Sequence, residues 1–105
     1  MRIVEKNKEI LARKDDEIEL KCSFVGGKPK PSIKWFFNET PLLQKDDDKY
    51  LFNGYDLVIS NLNINDTGYY TCILANGYHR QERLDFSLIV FGIELFLSPI
   101  LHIYA

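Results

Sequence analysis

Two cysteines, Cys22 and Cys72, with the only tryptophan, Trp35, between them and the run Asp66-Thr67-Gly68-Tyr69-Tyr70-Thr71 leading into the second, constrain this chain more than any other feature. Both cysteines stand in segments that alternate polar and apolar residues, the period of a half-buried β-strand. Glu17 to Phe24 alternates through four cycles and turns Ile18, Leu20, Cys22 and Phe24 to one side. Ser32 to Phe37 turns Ile33, Trp35 and Phe37 inward and leaves Phe36 outward, while Tyr69 to Ala75 buries Tyr70, Cys72 and Leu74. Two inward cysteines fit one bridge or two buried thiols equally well, and composition leaves both open.

The rest of the chain keeps the same period. Gly26 to Pro31 is a turn, because glycine relaxes the backbone and proline cannot donate to a ladder. Asn38 to Asp48, with Pro41 and the acidic run Asp46-Asp47-Asp48, reads as a loop with short edge strands at most. Tyr50-Leu51-Phe52 is a short strand closed by an Asn53-Gly54 turn. Asp56 to Ile59 follows, with Leu57 and Ile59 inward and Leu62 continuing the core. Asn76-Gly77 marks a second hairpin, and Arg83 to Phe91 returns with Leu84, Phe86, Leu88 and Val90 inward. About seven short strands and no helical period predict an all-β chain folded as an antiparallel sandwich.

These residues carry a family resemblance. Asp56-Leu57-Val58-Ile59 followed by Asp66, Gly68, Tyr70 and Cys72 resembles the late-strand signature of immunoglobulin domains, and Gly27 to Trp35 resembles the intermediate, or I-set, subfamily found in adhesion molecules, receptor ectodomains and giant muscle proteins. Asn76 stands where I-set domains often place asparagine, although Leu74 replaces their usual alanine. The resemblance covers roughly residues 9 to 91. It implies two antiparallel sheets with Greek-key connections, Cys22 bridged to Cys72 between them, and Trp35 packed against the sulfur pair. Tyr70 is placed to be the tyrosine corner, with Asp66 and Gly68 shaping the turn before it. A bridge closing a loop of about 50 residues contributes about 4 kcal/mol in the chain-entropy account. Asp15-Asp16 stand where the family has a glycine, which predicts a shortened or irregular first strand and weak pairing at the amino-terminal edge.

Domain organisation follows: an extension or irregular strand over 1–8, the immunoglobulin-like domain over 9–91, and an apolar tail, linker or opening of a further segment over 92–105. The tail is interrupted by Glu94 and Pro99 and is shorter than the roughly 20 apolar residues a span needs, so membrane attachment is expected only through a parent chain. The amino terminus lacks a signal-peptide apolar stretch, so an extracellular location requires a fragment of a larger protein.

The net charge of −2, with both signs scattered, gives no field that would draw nucleic acid. His79 and His102 have no nucleophile or carboxylate set beside them, no phosphate cradle appears, and Asp46 to Asp48 lacks the glycine and distal glutamate of a calcium loop. No enzyme, cofactor, metal or small-molecule substrate is expected. What remains is a protein partner, homophilic or a neighbouring immunoglobulin-like domain. Phe36, Tyr69 and Ile73, outward on one sheet, form one candidate interface, and Tyr78 and Arg80 at a loop tip form another. Asn38-Glu39-Thr40 is an N-glycosylation acceptor in a surface loop, whereas Asn65-Asp66-Thr67 lies inside the corner turn. The expected function is a non-catalytic adhesion or receptor module outside the cell; the alternative is an intracellular structural module of a muscle-type tandem array.

Overall fold

The computed structural model describes residues 1–44, 48–77 and 80–92. Among the described residues ten strands are formed: β1 (Arg2–Ile3), β2 (Lys8–Arg13), β3 (Ile18–Leu20), β4 (Phe24–Val25), β5 (Ser32–Phe37), β6 (Thr40–Pro41), β7 (Tyr50–Asn53), β8 (Asp56–Ile59), β9 (Gly68–Ala75) and β10 (Gln81–Phe91). They make a five-stranded sheet in the order β2-β10-β9-β5-β6, a three-stranded sheet β3-β8-β7, and a small pair β1-β4. The alternation places Leu20, Leu57, Ile59 and Leu62 from one side against Trp35, Tyr70, Cys72, Leu74, Leu84, Phe86, Leu88 and Val90 from the other, all at most 2% exposed. This is the sandwich expected from the alternating sequence, with the apolar residues of both sheets in one core.

Three expectations are corrected. The stretch Glu17 to Phe24 is not one strand: β3 pairs with β8, β4 pairs with β1, and Cys22 lies between them in neither ladder. The carboxylate of Asp56 accepts the Cys22 N–H at 3.2 Å in place of a strand neighbour. The sheets are not wholly antiparallel, because β2 runs parallel to β10 along its whole length, from Lys8 beside Phe86 to Arg13 beside Phe91. Pairing at the amino-terminal edge is therefore extensive rather than weak. Asp15 takes φ +73°, the conformation that the usual glycine would supply, and its N–H donates to the Leu62 carbonyl at 2.7 Å. Aspartate tolerates this left-handed region better than most side chains, so the turn survives the substitution.

The turn expected at Asn53-Gly54 also shifts by a residue. Asn53 pairs with Asp56, so the two loop residues are Gly54 and Tyr55, with Gly54 at φ +63°. Glycine at the first loop position is what a tight hairpin of the II′ kind requires.

Free sheet edges are treated differently from one another. At β6 the edge is two residues long and ends in Pro41. Along β7 the Gln44 carboxamide donates to the Tyr50 carbonyl and accepts the Phe52 N–H, closing that edge with a side chain. Strand β2 is six residues long and, among the described residues, has β10 as its only neighbour in the sheet.

Candidate protein-binding surface

The outward face of the five-stranded sheet rests on a rigid support at its lower end. Residues Ile64–Asp66 form a 3-10 turn whose cap is reciprocal: the Asn63 side chain accepts the Asn65 N–H at 2.9 Å, and the Asp66 carboxylate accepts the Asn63 N–H at 2.7 Å. Lys49 donates to the same carboxylate oxygen, so Asp66 ties the turn to the loop before β7. The Tyr70 hydroxyl donates to the Asp66 carbonyl at 2.8 Å, which is the tyrosine corner expected from the spacing. Burial first, then the Tyr50 hydroxyl and the Asp66 carboxylate, pushes the Tyr70 phenol far above the usual tyrosine range. Thr67 closes the arrangement onto β10, its hydroxyl accepting the Val90 N–H at 3.0 Å.

Beside the corner, Gly68 has a packing role. A Cβ there would stand 2.7 Å from the Phe37 ring and 2.7 Å from Asn38 Oδ1, so only glycine lets the β5–β6 hairpin approach β9 this closely. Asn38 and Glu39 make the two-residue turn of that hairpin at φ +48° and +68°. The Asn38 backbone N–H donates to the Tyr69 carbonyl at 2.8 Å, and its side-chain oxygen accepts the Tyr69 N–H at 2.9 Å. Sequence reading saw in Asn38 only a glycan acceptor. The structure gives it a positioning role, signalled by its place between two strands of matching period.

Cys22 and Cys72 are joined as a disulfide, and Trp35 stands opposite Cys72 in the β5–β9 register, 5.8 Å from the Phe86 ring between centroids.

On the outward face the register sets side chains in rows. Lys34, Ile73 and Arg83 share one row; Phe36, Thr71 and Asp85 the next; Tyr69 and Ser87 the third. Tyr69 is 62% exposed, while Phe36 and Ile73 are half-buried. Thr71, on the outward row, is 2% exposed, and its hydroxyl donates to Asp85 at 2.7 Å. Arg83 donates to Glu39 at 2.7 Å and to Asp85 at 3.0 Å, and these hydrogen bonds, that of Glu39 first, together with the charge of Asp85 raise the guanidinium's proton affinity. This polar chain crosses the face between Tyr69 and Ile73. A second exposed group lies lower on the same face: Ile89 pairs in register with Leu11 of β2, and they are 48% and 70% exposed. Sequence reading missed Leu11, since no strand had been assigned to Lys8–Arg13.

Arg80 donates to the Met1 carbonyl at 3.2 Å, and Tyr78 and His79 lie outside the described residues, as do Asp46, Asp47 and His102. Among the described residues no three of His, Cys, Asp and Glu stand together as a metal site, and no helix is long and apolar enough to cross a membrane.

The Immunoglobulin I-set domain profile matches residues 1–90. The chain belongs to the immunoglobulin I-set family. Hemicentin-1 of Mus musculus is 40% identical over 67 residues, 62% of this chain and 1% of that protein. Protein sidekick of Drosophila melanogaster is 37% identical over 76 residues, 72% of this chain and 3% of that protein. Among solved structures, the insect immune protein hemolin superposes with a TM-score of 0.74 at 21% identity, over 86% of this I-set chain and 24% of that one. Titin M4 superposes at 0.73 and 22% identity, over 86% and 94%. These structural likenesses establish the fold. The chain spans only 1% to 3% of the two curated relatives described above.

Proposed function

We propose that this I-set domain is a non-catalytic protein-binding module of a larger extracellular or cell-surface adhesion protein, residues 9–91 forming the binding unit. The observation that carries the reading is the Cys22–Cys72 bridge at the centre of the core, a link that persists in oxidising compartments. The relatives also support it: beside sidekick they include the cell adhesion molecule DSCAM of Gallus gallus, which is 35% identical over 69 residues. The working surface is the outward face of the five-stranded sheet, where Tyr69 is a largely exposed aromatic on a rigid strand.

Non-reducing peptide mapping of protein from its native source tests the compartment. A Cys22–Cys72 peptide pair is the expected result, and two free thiols overturn the reading in favour of an intracellular array module. The Asn38 peptide in the same spectrum reports whether the acceptor carries a sugar. Beads carrying the chain are expected to adhere to cells of the source organism, with Tyr69→Ala weakening the adhesion. Adhesion that survives removal of surface proteins by trypsin would sink the protein-binding reading.

A further inference from the structure

We propose that β2 is a homotypic docking edge: two copies of this chain join antiparallel along Lys8–Arg13 with Leu11 of each at the two-fold axis. The proposal rests on the protein-binding reading above and names its partner and surface.

The backbone is oriented for it. The Lys14 N–H donates to the Phe91 carbonyl at 2.7 Å, so on an alternating strand Ala12 and Ile10 also turn their backbone groups toward β10. Glu9, Leu11 and Arg13 then present theirs to the free edge. Their side chains lie on the outward face, Leu11 70% exposed against 8% for its neighbour Ala12. An unpaired strand edge of this length is a template for another strand, and proteins that avoid such pairing guard it with proline, a bulge or an inward charge. No proline or bulge stands between Glu9 and Arg13, and the charges on the strand, Lys8, Glu9 and Arg13, admit only a partner strand that pairs them, whereas the other long free edge, at β7, is closed by Gln44.

The side chains select one register. Centred on Leu11, the antiparallel pair sets Leu11 against Leu11, Ile10 against Ala12, and Glu9 against Arg13 twice. Centring on Glu9 or Arg13 opposes like charges at the axis. Centring on Ile10 or Ala12 sets Leu11 against Glu9 or Arg13 and breaks the apolar row. The Leu11 register also extends the apolar row on the outward face to Ile89, Leu11, Leu11 and Ile89, because Ile89 is the in-register neighbour of Leu11. Its one unfavourable pair, Lys8 against Lys14, is moderated by Glu5, already 3.2 Å from Lys8. The Arg13 carbonyl accepts the Asp16 N–H at 3.2 Å and keeps a second lone pair for the ladder.

Sedimentation velocity on the 105-residue chain, from micromolar to about millimolar concentration, reads the association, which at this interface size is weak. A concentration-dependent monomer–dimer equilibrium is expected. Glu9→Arg and Arg13→Glu each oppose like charges twice and should weaken it at least about tenfold. Combining both substitutions in one chain should restore it, and mixing the two single variants should give a heterodimer that neither forms alone. Both positions are exposed, so retained circular dichroism and an intact Cys22–Cys72 bridge show that the fold is unaffected. A wild-type chain monomeric throughout the range, a dimer indifferent to Glu9→Arg, or singles that fail to complement overturns the proposal. Bead adhesion by a chain that stays monomeric would leave the protein-binding reading standing and remove this edge from it.

Discussion

The two segments that carry the cysteines differ in how they are held. Cys72 sits within β9, eight residues long and hydrogen-bonded to β10 on one side and β5 on the other. Cys22 sits in a gap between β3 and β4, outside both ladders, with a side chain standing in for the missing strand neighbour. Both are equally buried, at 1% and 0% exposed. Burial of an alternating segment therefore does not imply pairing: the inward face is set by side-chain period, whereas the ladder depends on which neighbour the backbone reaches. The bridge spans the two kinds of support and ties the loosely laddered side of the sandwich to the firmly laddered one.

The largest test of that comparison removes the link. Replacing both cysteines by alanine should lower the unfolding free energy by about 4 kcal/mol, as chain entropy predicts for a loop of this length. Urea denaturation of the oxidised protein against the variant measures it. A loss below about 1 kcal/mol would mean that the core alone holds the Cys22 side in place.

Next in size is the corner that anchors β9. Tyr70→Phe leaves the buried Asp66 carbonyl without its donor and should cost about 2 kcal/mol. The same variant has a pH signature. The native phenol titrates well above its unfolded value of about 10, so the unfolded chain loses this proton first as pH rises. The contribution is present in full below pH of about 10 and falls above it, by about 1.4 kcal/mol per pH unit. Tyr70→Phe should remove that part of the alkaline slope, so the gap between the two proteins narrows above pH of about 10. Parallel stability curves across that range would show that the hydroxyl is not held as described.

Much of this was legible in the sequence, and the parts that were not share a cause. The inward residues of β5, β9 and β10, the corner from Asp66 to Tyr70 and the pair Cys22 and Cys72 are all set by local period and spacing. What escaped is non-local. That β2 exists depends on a parallel neighbour, β10, more than 70 positions away, and its sequence Lys8-Glu9-Ile10-Leu11-Ala12-Arg13 shows little alternation of its own. The hydrogen bond of Thr71 depends on Asp85 across the ladder, and the role of Asn38 depends on Tyr69. The exposed pair Leu11 and Ile89 became visible only once the register was known.

The smallest effect is the most direct probe of the difference between the two cysteine segments. Asp56→Ala removes the acceptor of the Cys22 N–H and should cost about 1 kcal/mol, the net worth of one such bond. Its clearer readout is amide hydrogen exchange. The Cys72 amide lies in a strand paired on both sides and should exchange only through opening on the scale of global unfolding. The Cys22 amide is held by one side-chain bond of 3.2 Å and should exchange through a smaller local opening already in the wild type. In Asp56→Ala its protection should fall by about fivefold, the equivalent of that bond, and the Cys72 amide, which follows overall stability, should quicken by a similar factor while remaining the better protected of the two. Equal protection of the two amides in the wild type would show that the disulfide, rather than the ladder, sets the rigidity of both segments.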